Sequence, residues 1–244
     1  MEAIIQTTLI GLFFGTFGTT LGGILGITMK GIRNKTIGFI LSLAAGLMTG
    51  VVSFDLIPEA MEIAGIVQVI VGIVAGIIAM IICDVLVHKK FSTMPSENNS
   101  LLKTGMIISI GLALHNLPEG LAIGSGFEAS LVLGYSLAIA IALHDIPEGI
   151  SMAVPMKQGG MPASKILLYV FLSGVTTGIG AFVGAVIGGI SENIIAMCLA
   201  FAAGAMLYIV SGELVPESHS VYKGKMNAIG NILGFILGLY TTIL

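Results

Sequence analysis

Charge is what this sequence has least of. Only 9% of its 244 residues are Asp, Glu, Lys or Arg (10 basic, 13 acidic), against 56% hydrophobic residues and a mean hydropathy of +1.06. A soluble domain carries about 25% charged residues, so this chain cannot clothe a globular surface of its size in water-compatible groups and must meet lipid instead. The same scarcity excludes a disordered chain, a nucleic-acid binder relying on basic patches, and a soluble α/β enzyme. Cysteine is nearly absent too: Cys83 and Cys198 stand far apart in apolar runs without ligand spacing and read as inert packing residues. After Met1-Glu2 there is no basic n-region and no A-x-A-like cleavage site, so the first apolar run reads as a retained helix rather than a signal peptide.

What the chain does have is long apolar runs. Eight occur, at 4–27, 37–59, 64–87, 104–126, 130–154, 164–189, 193–215 and 226–243, each near the ~20 residues a helix needs to cross a ~30 Å hydrocarbon core. They are continuous rather than alternating, which excludes a β-barrel. The expectation is an all-α, polytopic membrane protein of eight transmembrane helices, a single domain over 1–244 with a short cytoplasmic loop at 88–103. All ten basic residues then fall on one side: Lys30, Arg33 and Lys35, then Lys89, Lys90 and Lys103, then Lys157 and Lys165, then Lys223 and Lys225. The positive-inside rule makes that side cytoplasmic, with both termini outside a cell (inner or plasma) membrane. Glycines recur as Gly11/Gly15, Gly18/Gly22, Gly180/Gly184/Gly188 and Gly230/Gly234/Gly238. Such rows either pack helices statically or form smooth sliding surfaces.

Two internal repeats appear. Ala44 to Met48 followed by Ser53 to Glu59 matches Ala202 to Met206 followed by Ser211 to Glu217, both copies ending in Pro-Glu, at an offset of 158. The copies lie on spans two and seven, which run in opposite directions, so the expectation is an inverted repeat relating helices 1–3 to 6–8 around a central 4/5 pair, as in secondary transporters. The second repeat is Leu114-His115-Asn116-Leu117-Pro118-Glu119-Gly120 in span four and Leu143-His144-Asp145-Ile146-Pro147-Glu148-Gly149 in span five. Each motif starts near the middle of its helix.

Glu119, Asp145 and Glu148 therefore sit at bilayer depth, where a charged side chain costs about 2.5–3.5 kcal/mol. Uncompensated, the three would oppose folding by roughly 8–10 kcal/mol. All ten basic residues are in loops, which leaves a bound cation, protonation or water to compensate them. At about 100° per residue, Glu119 projects between His115 and Asn116, and Glu148 between His144 and Asp145. If the helices face each other, His115, Glu119, His144 and Glu148 form an N₂O₂ set. Asn116, Glu119, Asp145 and Glu148 form a more oxygen-rich neighbour sharing both glutamates. Imidazole with carboxylate suits Zn²⁺ and other first-row divalent ions better than Ca²⁺ or Mg²⁺. Pro118 and Pro147 cannot donate to the carbonyls of Leu114 and Leu143, so a kink and a freed carbonyl are expected at each.

HNLPEG and HDIPEG on adjacent spans resemble the ZIP (Zrt-/Irt-like) divalent metal transporters, of the bacterial and archaeal type, along essentially the whole chain. The resemblance implies a binuclear centre of those two ligand sets, uptake toward the cytoplasm, usually of zinc, and a homodimer. It also implies an elevator-like motion of spans one, four, five and six against the rest. Two departures stand out. Where bacterial relatives often carry a glutamate in span six, this chain reads Ser173-Gly174-Val175-Thr176-Thr177-Gly178, and Thr177 brings no charge, so the second site should be weaker or serve only in transit. The loop at 88–103 holds only His88 and makes a poor metal sensor.

Met48, Ser53, Asp55 and Glu59 are candidates for the outer path. Their repeat copies Met206, Ser211, Glu213 and Glu217, with His219, are candidates for the inner one; caps and interhelix hydrogen bonds are the alternative use of all of them. The resulting expectation is a secondary importer of Zn²⁺, with Fe²⁺, Mn²⁺ or Cd²⁺ as other substrates, using no cofactor and binding no nucleic acid. Its partners are the divalent ions, the bilayer and a second copy of itself. An intramembrane metalloenzyme and a non-transporting metal receptor are the alternatives; the H-E-x-x-H and E-x-x-H spacings of known metal enzymes are absent, and no soluble output domain accompanies the spans.

Overall fold

The structure is a computed structural model describing residues 1–28, 33–92 and 100–241, with their side chains apart from those at 87–88 and 90–108. Lys30 and the side chains of His88, Lys90 and Lys103 lie outside the described residues. Among the described residues there are no strands. The α-helices are α1 (Glu2–Thr28), α2 (Asn34–Val51), α3 (Ile57–Ser92), α4 (Ser100–Ala129), α5 (Leu131–Gln158), α6 (Ala163–Gly188), α7 (Glu192–Ile209), α8 (Val215–Val221) and α9 (Lys225–Thr241). Five described stretches are long and apolar enough to cross a bilayer: Glu2–Thr28, Asn34–Leu86, Leu131–Gln158, Ala163–Gly188 and Glu192–Val221.

Helix ends follow local chemistry. Ser130 and Ser191 cap α5 and α7, their hydroxyls accepting from the amides of Leu133 (3.1 Å) and Ile194 (3.4 Å). At the other end of α5, Lys157 Nζ donates to the carbonyl of Ile27, tying it to the C-terminus of α1. Of the loop expected at 88–103, residues 88–92 and 100–103 are helical, at the end of α3 and the start of α4, and 93–99 lie outside the described residues. The runs 37–59 and 64–87 meet at a sharp kink: Gly65 (φ 77°, ψ 169°) is non-helical and divides α3 into two helices, a conformation open to a residue without Cβ. α4 and α5 run unbroken through Pro118 and Pro147.

Two five-residue π-helical turns interrupt the α geometry, Val52–Leu56 between α2 and α3 and Val210–Leu214 between α7 and α8. They stand 158 residues apart at both ends, the offset of the first sequence repeat. Each carries an acid, Asp55 in one and Glu213 in the other. Such turns concentrate at functional sites because the extra residue re-aims a side chain.

The helices pack as two groups. α1 lies on α5 and α6, and α4 on α5 and α6; in the other group α2 lies on α9 and α3 on α7. The groups meet chiefly where α4 touches α7 and α2 touches α5. All four glycine rows face helices of their own group. A Cβ at Gly22 would strike the Ile146 carbonyl, one at Gly180 the Leu117 carbonyl, and one at Gly234 the Leu43 carbonyl. The rows thus bring backbones into contact inside each group. That is the arrangement of static packing.

Candidate metal centre

The repeated motif lies where α4 and α5 cross inside the first group, and all six of its polar residues are buried: His115, Asn116, Glu119, His144, Asp145 and Glu148. Their apolar neighbours Leu117 and Leu143 point outward, 42% and 47% exposed. The motif thus splits into an inward polar face and a lipid-compatible one, as helical spacing dictates.

Both histidines are oriented by their own helix. Nδ1 of His115 donates to the carbonyl of Gly111 (2.8 Å), and Nδ1 of His144 to that of Ala140 (3.1 Å). This leaves Nε2 of each ring as the lone-pair atom, the tautomer a metal ligand needs. Nε2 of His144 then faces Oε1 of Glu119 at 2.9 Å and Oδ1 of Asp145 at 3.7 Å. Two lone-pair atoms at 2.9 Å repel one another unless a proton or a cation lies between them.

Ligand atoms of Glu119, His144 and Glu148 all lie within 4.8 Å of one another. Donors bound to one tetrahedral zinc at 2.0–2.2 Å sit roughly 3.4 Å apart, so small rotamer changes close the trio on an ion. Asn116 is fixed by donation from Nδ2 to the carbonyl of Ser173 (2.9 Å) and to its hydroxyl (3.3 Å), which frees Oδ1 as an acceptor. Among the described residues, most of the buried side-chain atoms without a hydrogen-bond partner are here: Nε2 of His115, Oδ1 of Asn116, Oε2 of Glu119, both carboxylate oxygens of Asp145 and Glu148, and Oγ1 of Thr177. Buried polar groups are normally satisfied, and carboxylates packed this closely require positive charge. The donors are imidazole, carboxylate and amide oxygen, so a divalent cation fits them.

His115 is not in the trio. Its Nε2 lies 3.5 Å from Oε2 of Glu213 on the second π-helical turn. The two side chains share a cavity of about 240 Å³ with Glu148, Ser151, Glu217, Asp84 and Cys83. A further cavity of about 280 Å³ shares Ser151 and Glu217 and reaches Asn34 and Gln158, at the ends of α2 and α5. Each is roomy enough for several waters.

The remaining candidates are scattered. Met48 and Met206 are fully buried among apolar side chains, and Ser53, Ser211 and His219 are exposed. His219 Nδ1 meets only its own helix, at the carbonyl of Val215 (3.0 Å). Asp55 is buried 3.5 Å from the Ser136 hydroxyl, which donates to the carbonyl of Thr241 (2.9 Å). Sequence reasoning overlooked Asp84, which accepts from the Tyr208 hydroxyl (3.1 Å) on the cavity wall. Its signal was present, an acid inside the apolar run 64–87. It also overlooked Ser173 as the residue that orients Asn116. Nothing in the sequence indicated that contact, which spans 57 residues.

A family profile described as ZIP Zinc transporter matches residues 96–244. The Zinc transporter GufA of Myxococcus xanthus is 30% identical over 233 residues, covering 91% of this chain and 92% of that relative. The chain belongs to the ZIP family. The Zinc transporter ZupT of Akkermansia muciniphila is 30% identical over 261 residues, 97% of this ZIP chain and 95% of its own. The Zinc transporter ZIP11 of Xenopus tropicalis is 38% identical over 139 residues, 54% of this chain and 41% of that one.

Proposed function

We propose that this ZIP protein imports Zn²⁺ into the cytoplasm through a binuclear midplane centre, with Fe²⁺, Mn²⁺ or Cd²⁺ as other substrates, and acts as a transporter rather than an enzyme. The observation that carries the reading is the buried Glu119–His144–Glu148 trio, with its unpartnered oxygens. His115 completes the first set when it turns inward. Asn116 and Asp145, with both glutamates, form the second, to which Thr177 adds only a neutral oxygen. Relatives named as zinc transporters and the borderline-soft donors both favour zinc.

Eight spans follow when Gly65 divides α3 and each π-helical turn is kept within its span. The inverted repeat is supported by the equal offset of the two turns and by the packing. Exchanging spans one to three with spans six to eight (α6, α7 with α8, and α9), and α4 with α5, turns the pair α1–α5 into α6–α4, α2–α9 into α7–α3, and α2–α5 into α7–α4, all of which are in contact. The grouping of α1, α4, α5 and α6 is the division an elevator-like motion requires. The described basic residues stand at the start of α2, near the end of α3, and beside or within the connections at 159–162 and 222–224. The two cavities run from the centre toward that same end, so the conformation is open to the cytoplasm if those loops face inward and the termini outward. A homodimer in the cell membrane completes the proposal.

The test is flux. Vesicles reconstituted with the protein and loaded with a zinc-sensitive dye should respond to external Zn²⁺ faster than empty vesicles, and the Glu119→Ala/Glu148→Ala double variant should not. Equal signals from wild type and empty vesicles would refute transport. Unchanged calorimetric affinity in the double variant would refute the site.

A further inference from the structure

We infer that the acyl chain of a membrane phospholipid lies between the two helical groups, in an apolar slot walled by α4 and α6 on one side and by α3 and α7 on the other. The slot encloses about 500 Å³. Among the described residues, no charged, hydroxyl or amide side chain lines it. It is a site for hydrocarbon.

Each wall is tight, and the gap lies between them. In the first wall a Cβ at Gly180 of α6 would strike the Leu117 carbonyl of α4, and in the second a Cβ at Gly76 of α3 would strike the Phe201 carbonyl of α7. The slot stays open because small residues line it, Ala75 and Ala79 one helical turn apart on α3 and Gly180 on α6. Leu117 and Val183 on its rim are exposed on the outer surface, which at the depth of these apolar spans is the lipid-facing one. An empty apolar volume is unfavourable in proportion to its size, and water finds no hydrogen-bond partner in such a site. A hydrocarbon chain meets neither cost, and lipid tails surround the rim.

Met80, Cys83 and Leu114 line both this slot and the 240 Å³ cavity that adjoins the metal centre. A layer one side chain thick therefore separates a cavity roomy enough for water from the bilayer, and a tail seated against that layer keeps water from spreading along the slot. The tail has a second role in movement. If α4 and α6 shift against α3 and α7, a tail changes shape with the slot, whereas a fixed side chain of the same volume would wedge the groups in one position. That second role rests on the transport reading; the site itself does not.

The chain has no Trp, so a single introduced Trp reports its own surroundings. Full-length Phe201→Trp, with the reporter on the slot wall, and Phe13→Trp, with the reporter exposed on α1, are reconstituted in vesicles of phosphatidylcholine brominated on its tails, then extracted and washed in bromine-free detergent. Both should be quenched in the vesicles. After washing, Phe13→Trp should recover its full emission while Phe201→Trp stays quenched by the retained tail. Ala79→Phe added to Phe201→Trp fills the slot and should abolish the retained quenching; Val183→Phe does the same from the opposite wall where Ala79→Phe does not fold. The site is overturned if Phe201→Trp is never quenched, if it recovers with Phe13→Trp because detergent replaces the tail, or if its quenching survives both filling substitutions. In dye-loaded vesicles Ala79→Phe should slow zinc entry several-fold, and Val74→Phe, on the lipid-facing side of the same helix, should not. Wild-type flux in Ala79→Phe would overturn the role in movement. Absence of flux in the wild type would refute transport and leave the fluorescence result to decide the site.

Discussion

Exchanging Glu119 for glutamine separates two effects that the wild-type carboxylate combines. Oε1 of Glu119 sits 2.9 Å from His144 Nε2, Oε2 has no hydrogen-bond partner, and the residue is 0% exposed. Holding a carboxylate at such depth costs about 2.5–3.5 kcal/mol. A carboxamide has nearly the same shape and no charge, and its N–H donates to the imidazole lone pair in place of the opposed oxygen. The metal-free variant should therefore be more stable than wild type, by about 1–3 kcal/mol once some relief of the wild-type charge by water or protons is allowed for.

With zinc the sign reverses. At 1,000 times Kd a ligand stabilises the folded state by about 4.1 kcal/mol. Loss of even an outer-shell partner weakens metal sites 10–100-fold, so at the same zinc concentration the increment should drop to about 1.4–2.7 kcal/mol. Equilibrium unfolding in detergent, with chelator and with zinc, reads both numbers from one protein. A metal-free variant less stable than wild type would refute the claim that the trio is held against its own charge. An unchanged zinc increment would refute the claim that Glu119 is a ligand.

Zinc binding should be acid-sensitive, because imidazole and carboxylate bind a metal only when deprotonated, so affinity should fall as the buffer is acidified. Calorimetry in buffers of different ionisation enthalpy should report proton release, and identical heats would argue against it. Thr177→Val keeps the volume and removes an unpartnered buried hydroxyl; it should leave the tight zinc equivalent within about twofold, while any weaker equivalent that used that oxygen declines about tenfold. A loss of the tight equivalent instead would place Thr177 in the first site. Gly22→Ala puts a Cβ against the Ile146 carbonyl where α1 meets α5, a backbone contact that yields little. It should destabilise the protein by about 1–3 kcal/mol, and an unchanged unfolding midpoint would mean that α1 and α5 separate easily.

Much of the site was legible in the sequence because it is local. His115 with Glu119, and His144 with Glu148, are one helical turn apart, and helix geometry alone puts each pair on one face. The acids were conspicuous because charge is so rare here that any carboxylate inside an apolar run stands out. Even Asp84 was visible by that rule, though it was not singled out. The tight glycine contacts were equally readable as spacing, but whether they served packing or sliding depended on which helices the rows faced.

Sequence by itself determined the solvent, the helical class and the donor chemistry. Those follow from composition and from periodicities of three and four residues, which operate within one helix. Only the tertiary structure decided how the donors divide. It drew Glu119, His144 and Glu148 together, turned His115 toward Glu213, and tied Asn116 to Ser173. Each of those contacts joins residues on different helices, and its geometry depends on how two packed helices are rotated against each other. The π-helical turn at Val210–Leu214 made that rotation at Glu213, and no spacing rule for a regular helix anticipates it.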